Sequence, residues 1–459
     1  MLITCCLWNP PYSGMKRISV FDTGKGIAVL GMIIAHTFEG GICEWDHDIE
    51  MTCLRSISNW VIILLSPFSL ILMMGLFFTY ITSITCGLSV INKEKYGHWV
   101  VAQYILYRII FAIVLKFMEI LITTWWKYYD VFNTMYLQVP KAPIPRYSHT
   151  LDSVGACGWI VPLAVYLVRR LPEYHGSLLQ VCILCSSALV LLIFYQPIAS
   201  SAMKIAVFFE EHNLNGVSII FSKIGSGPFM LAQCIPFGLV GGAIAIMLSE
   251  NLTCQILWRF SIIFSSITTL LALLLILRVK DFWYQTLQEN KPPSVRLMEL
   301  VVETNIIVLG VYLCEDPRRS PEKRGVLIRK GTFLRRISVL SLTAFIFEQY
   351  ICTITMKWFR IFFGKAVDIE TKQYLWNVPL SMLYMVATTT VELGIIRVWE
   401  MGSFRLSCEH FIAIILGFLF NRQSYNRLDY QRIIYGPNIF YSTEAEERRT
   451  IIRSRSKSL

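Results

Sequence analysis

Apolar runs long enough to cross a bilayer recur from one end of the chain to the other, separated by short polar turns. Roughly 20 apolar residues in a helix rising ~1.5 Å per residue cover the ~30 Å hydrocarbon layer. Windows of that kind predict ten helices, near 22–40, 59–89, 99–123, 151–168, 178–197, 229–249, 256–277, 297–314, 337–356 and 374–398. An eleventh run, Cys408 to Phe420, is short for a crossing and reads as a re-entrant or interfacial segment. The expected fold is therefore an all-α polytopic membrane bundle of about ten spans. It comprises a cytoplasmic segment 1–21, a transmembrane domain 22–420 and a basic cytoplasmic tail 421–459.

Charge fixes the expected orientation. With the N-terminus inside, inner segments hold 23 Lys and Arg against 14 in outer loops. The sharpest block, EDPRRSPEKRGVLIRKGTFLRR, falls in an inner loop, while the first outer loop is acidic at Glu44, Asp46, Asp48 and Glu50. Basic residues collect on the cytoplasmic side, so ten spans with both termini inside, in the cell membrane, are preferred. Eleven would put the basic tail outside. The net charge of +11 is then explained by the anionic membrane surface rather than by nucleic acid. With 55% hydrophobic and 16% charged residues, and a mean hydropathy of +0.54, disorder is excluded and a soluble globular protein fits poorly. The opening MLITCCLWNPPYSG lacks a basic start and a small-residue cleavage site, so the first helix is expected to act as an uncleaved insertion signal. Most of the 13 cysteines lie in apolar runs and read as buried thiols; Cys43 and Cys53 flank the first outer loop and are the one pair placed to bridge.

The first helix carries the candidate chemistry. At 100° per residue, Asp22, Lys25, Val29, Met32, His36 and Glu39 share one narrow face. Gly24, Ala28, Gly31 and Ala35 form a second stripe of small residues suited to close helix contact. Charge in hydrocarbon is costly, so the polar stripe is expected to face a protein interior or a water-filled cavity. Lys25 lies at the cytoplasmic end, about 16 Å along the helix from His36. A neutral imidazole there can act as a general base, with Glu39 one turn on as its partner, while Lys25 can meet phosphate as a point charge. Spacing alone leaves three readings open: catalysis, a proton relay in a transporter, or a buried polar pair that stabilises packing.

The segment Arg17-Ile-Ser-Val-Phe-Asp22-Thr-Gly-Lys25-Gly26-Ile-Ala28, with ten residues intervening between Lys25 and His36, resembles the opening of the transmembrane acyltransferase superfamily. That superfamily includes bacterial type-three O-acyltransferases and heparan-α-glucosaminide N-acetyltransferase, and its opening typically reads R-x-x-x-x-D-x-x-R-G-x-A. Lys25 replaces the more usual Arg, which removes bidentate phosphate contact and keeps the charge. In heparan acetyltransferases proper the catalytic His lies further into the following loop, where His47 stands here. Weaker similarities run along the chain: SPFSLILMMGLFF, GPFMLAQCIPFGLVGGAIA, RRISVLSLTAFIFEQYI and WEMGSFRLSCEHFIAIILG.

The resemblance implies transfer of an acetyl or short acyl group from cytoplasmic acyl-CoA, as cosubstrate rather than bound cofactor, to a hydroxyl or amine of an extracytoplasmic glycan. It implies His36 as base with Glu39, and Arg17, Asp22, Lys25 and Arg108 on the donor side. Glu119 and Glu348 are acceptor-side candidates. Glu303, Glu348 and Glu392 are intramembrane carboxyls that could line one cavity, against buried hydrogen bonding as the plain alternative. Asp152 is expected to cap a helix, and Glu409 and His410 to be exposed at the interface. DTGKG lacks the spacer of a phosphate-binding Walker loop, no G-x-S-x-G elbow is present, and His36, Asp46, His47 and Asp48 lack metal-ligand spacing. The rival function is a transporter or lipid/glycan flippase using the same stripe.

Overall fold

The structure, a computed structural model, describes residues 18–43, 49, 52, 76–128, 148–171, 176–249, 254–277, 291–316, 320–368, 371–419 and 434. Among the described residues the fold is all-α apart from one two-residue-stranded hairpin. Seven described helices are long and apolar enough to cross a membrane, or eight if one bent pair counts as a single span. The protein is thus a helical, multi-pass membrane protein. Two compact units divide the chain: one holds residues 76–328 with the flanking ends, the other residues 22–75 and 329–436.

The first unit contains α2 (Phe77–Glu94), α3 (His98–Tyr128), α4 (Thr150–Arg169), α5 (Gly176–Ile193), α6 (Tyr195–Glu211), α7 (Asn215–Gly225), α8 (Leu231–Ser249), α9 (Cys254–Ile276) and α10 (Pro293–Glu315). It also takes the first residues of α1 (Ser19–His36), where Ser19 Oγ donates to Glu315 Oε1 at 3.2 Å. Helix α8 is apolar all round and buried over most of its length, as a central helix must be. Small residues let its neighbours approach: a Cβ on Gly241 would lie 2.9 Å from the Tyr80 carbonyl oxygen of α2. Helix α9 is built inside out, with Ser261 and Thr268 buried and Ile262, Ile263, Ile267 and Leu270 exposed. Its Ser261 donates to Asn305 of α10 at 2.7 Å, and Asn305 returns a bond to Ser265 at 2.8 Å. Such cross-helix bonds do between membrane helices what apolar burial does in water.

Helices α6 and α7 occupy 195–225, all but the first three residues of which the hydropathy pattern leaves between spans. Both are short and one-sided: α6 buries Tyr195, Ala199, Ala202 and Ala206, and α7 buries Ser218 and Ser222. An 18-residue apolar average cannot register helices of that kind. Asp152 does cap α4, accepting from His149 N at 3.0 Å and from Lys116 and Lys223 at 3.1 and 2.7 Å.

The second unit holds the rest of α1, a π-helical turn (Thr37–Ile42), α12 (Thr332–Val339), α13 (Ser341–Phe363), the hairpin β1 (Val367–Asp368) and β2 (Gln373–Tyr374), α14 (Val378–Met401) and α15 (Cys408–Leu419). The short basic α11 (Pro321–Lys330) precedes α12. Helices α12 and α13 meet at 71° and form the bent pair. A core of Ile42, Cys43, Ile49, Met356, Ala366, Val367, Trp376 and Tyr384 joins the π turn, the hairpin and the start of α14. Within it Phe359 packs on Tyr384 and Trp376 with ring centroids 5.3 and 6.1 Å apart. Cys43 is buried, and its expected partner Cys53 lies outside the described residues.

Of the ten expected spans, α3, α4, α5, α8, α9, α10 and α14 meet the crossing test, and α12 with α13 supplies an eighth. Helix α1 forms where expected but is not among them, since Asp22, Lys25 and His36 dilute its hydropathy. Residues 59–75 of the expected second span lie outside the described residues, and α2 covers its end. Helix α15 is short, as expected for a non-crossing segment.

Candidate functional site

His36 is the last residue of α1, and the chain passes directly into the π turn. The Cys43 amide reaches back five residues to the Phe38 carbonyl at 3.1 Å, the bond that defines the wider turn. Gly41 lets the turn pack against α14: a Cβ there would collide with the Tyr384 hydroxyl. Single π turns inside helices concentrate at functional sites. This one also shifts the register, so Glu39 no longer continues the 100° stripe of Asp22, Lys25 and His36.

The imidazole is gripped from α13. His36 Nδ1 is hydrogen-bonded to Glu348 Oε1. Exposure separates their roles, the His36 side chain being 20% accessible and that of Glu348 1%. The ring keeps some exposed surface, whereas the carboxylate that holds it has almost none. Phe345, one turn before Glu348, meets the ring edge-on at 6.4 Å between centroids. One turn after Glu348, Cys352 Sγ lies 3.4 Å from Thr37 Oγ1, and Thr37 donates to the Ile33 carbonyl at 2.6 Å. Two successive rungs of α13 thus lock the end of α1, Glu348 on His36 and Cys352 on Thr37.

Helix α14 closes the cluster. Its buried face reads Ser381, Tyr384, Thr388, Glu392, Ile396 and Glu400, at the helical period and almost wholly polar. Its exposed positions include Met382, Leu383, Val386, Val391, Ile395 and Val398. A helix that turns polar groups inward and aliphatic groups outward is the inverse of a soluble one. Tyr384 donates to the Cys352 carbonyl at 3.1 Å. Glu392 is 3% exposed and close enough to Glu348 for their charges to interact. Glu392 Oε1 and Glu348 Oε2 find no hydrogen-bond partner among the described residues.

A separate network frames the start of α13. Glu409 of α15 accepts from the Leu342 and Thr343 amides at 2.7 and 3.1 Å and from the Thr343 hydroxyl, and the Cys408 amide donates to Thr343 Oγ1 at 2.9 Å. A carboxylate on the first amides of a helix satisfies orphan donors and complements the dipole. Glu400 accepts from Arg336 at 2.6 Å and from Arg397. The segments RRISVLSLTAFIFEQYI and WEMGSFRLSCEHFIAIILG, far apart in sequence, are therefore bonded side by side. Close backbone approach on α1 occurs at Gly26, where a Cβ would overlap the Leu334 carbonyl.

Expected on the acceptor side, Glu348 instead holds Nδ1 of His36, the part expected of Glu39. Glu39 sits half-buried in the π turn and acts on the imidazole electrostatically. Asp22 and Lys25 lie half-buried in the first turns of α1, remote along the helix from His36. Arg108 is engaged within the first unit, donating from Nε to the Gly158 carbonyl at 3.1 Å with its guanidinium 4.7 Å from the Phe111 ring centre. Glu303 also belongs to the first unit, while Glu348 and Glu392 belong to the second. Glu409 is a helix-capping ligand rather than an interfacial carboxylate. Arg17, His47 and the side chain of Glu119 lie outside what the structure describes. Cys352, Tyr384 and Thr37 were not singled out by sequence; the inward period-3.6 run of polar residues on α14 was the available signal for Tyr384. No group of three or more His, Cys, Asp or Glu among the described residues is placed to hold a metal ion. No protein-family model, curated protein or solved structure matches the chain.

Proposed function

We propose that the protein is a membrane-embedded acyltransferase of about ten spans, with both termini cytoplasmic, in which His36 is the general base and Glu348 its orienting carboxylate. The single observation that supports this most is a partly exposed imidazole held through Nδ1 by a buried carboxylate. With the Nδ1 proton directed at Glu348, the basic lone pair sits on Nε2. An acceptor O–H or N–H gives its proton to Nε2 as its heteroatom attacks the thioester carbonyl of acyl-CoA. Collapse of the tetrahedral adduct expels the CoA thiolate, which takes the proton back from the imidazolium. Glu348 stabilises the cation between the two steps. Lys25, with Asp22 beside it and Arg17 before it, is the donor-phosphate end of this reading, and the acceptor is a glycan or related alcohol or amine.

The opening motif supplies the reaction class and the His36–Glu348 pair supplies a base suited to it. Purified protein in nanodiscs should release free CoA from acetyl-CoA only when acceptor is added, and the rate should fall at acidic pH as the imidazole is protonated. Absence of acceptor-dependent CoA release across hydroxyl and amine sugars would overturn the reading. A proton-coupled transporter is the second reading, favoured by the buried carboxyl oxygens of Glu348 and Glu392 that lack partners among the described residues. It predicts flux driven by a pH gradient with no acyl product.

A further inference from the structure

At the C-terminal ends of α2, α4 and α8 the first unit opens a cavity of about 220 Å³ lined by Ile91, Asn92, Glu94, Lys95, Arg169 and Ser249. Its one carboxylate is already engaged: Glu94 accepts from Arg169 Nε at 2.8 Å and pairs with Arg170 at 3.6 Å. Among the described residues around it, Lys93, Lys95, Arg169 and Arg170 stand against this one carboxylate, with Lys95 and Arg169 lining the cavity itself. Arg170 is held in place by aromatic groups, its guanidinium 5.0 Å from the Tyr166 ring centre and hydrogen-bonded to His98. The His98 ring is bonded in turn to the Tyr166 hydroxyl at 2.8 Å. Lys93 lies 5.3 Å from the Tyr104 ring centre, and Trp99 is 70% exposed.

We infer that this pocket binds the headgroup of an anionic phospholipid. Basic side chains whose charged ends lie over aromatic rings, beside an exposed Trp, are the groups that settle at headgroup level. The helix C-termini present carbonyls there, which repel anions, so the attraction comes from the side-chain cations. Leu167 and Leu171, exposed beside Arg169 and Arg170 in sequence, supply apolar surface for the acyl chains. The cavity is smaller than the roughly 300–1,000 Å³ of pockets for drug-sized ligands. It suits a phosphate with a small polar head rather than a nucleotide. The positive charge of the Lys93 and Arg169 turns places the site in the cytoplasmic leaflet, where anionic lipids are concentrated.

The test is native mass spectrometry of the full chain released from nanodiscs of equal phosphatidylglycerol and phosphatidylcholine. Wild type should retain phosphatidylglycerol preferentially. Each cation near a membrane surface contributes about fivefold in affinity for anionic lipid, so Lys95→Ala with Arg170→Ala should lower retention by about 25-fold. Lys95 and Arg170 are exposed, equal thermal midpoints of variant and wild type keep the fold out of the measurement, and Arg170→Lys should restore most of its share. Lys204→Ala, an exposed cation on α6, should change nothing. Unchanged retention in the double variant, equal retention of the two lipids by wild type, or displacement of the lipid by adenosine 3′,5′-bisphosphate would each overturn the assignment.

Discussion

Glu348→Gln isolates the contribution of the carboxylate that holds His36. The side chain keeps its shape and its place on α13, but a charge-assisted hydrogen bond becomes a neutral one. Hydrogen bonds to charged groups contribute about 1.5–3 kcal/mol, and that stabilisation matters most when the imidazole carries its transient positive charge. At 1.36 kcal/mol per factor of ten, kcat should fall by roughly 10- to 150-fold. His36→Gln removes the base itself and should cost about 10²–10⁴-fold. Because Glu348 acts through His36, the double variant should be no slower than His36→Gln alone; groups that work as a unit are not additive. Acyl-CoA affinity should change little in all three, since neither residue is assigned to donor phosphate. The assay is acceptor-dependent CoA release in nanodiscs, at equal amounts of protein with equal thermal midpoints. If the two losses multiply in the double variant, Glu348 works independently of His36 and the pairing is not mechanistic. If Glu348→Gln retains full rate, the hydrogen bond is only a packing contact.

Lys25→Glu should weaken acyl-CoA binding while Lys25→Arg preserves it, and equal affinities by direct titration would remove Lys25 from the donor site. Glu409→Ala leaves the Leu342 and Thr343 amides of α13 without their carboxylate, at about 1–3 kcal/mol; thermal unfolding in detergent should show the lower midpoint, and an unchanged one would mean water replaces it. Gly26→Val would force a side chain onto the Leu334 carbonyl and should destabilise by about 1–3 kcal/mol or more, read in the same assay against Gly325→Val, where a Cβ meets nothing within 4 Å. Cysteine labelling from outside intact cells should reach a probe at Asp48 and miss one in 320–330; external labelling of the latter would overturn the proposed orientation.

The sequence by itself determined most of the helices, because a membrane span is a local property: a run of apolar residues of fixed length satisfies its own backbone and needs no distant partner. Seven of the ten expected spans appear on that basis, and His36 was legible as an ionisable group no lipid-facing helix would carry. Short one-sided helices such as α6 and α7 escape such averages. The stripe on α1 was read with a uniform 100° step, which the π turn after His36 interrupts; that turn depends on Gly41 meeting Tyr384, some 340 residues away. Which carboxylate holds the imidazole was likewise undecidable from spacing. Glu39 is near in sequence, whereas Glu348 is brought to Nδ1 by helix packing, with Glu409 capping α13 and Cys352 engaging Thr37 one rung further on. Local composition fixes that a charged residue must find a partner in the membrane, and only the packing of helices decides which one it finds.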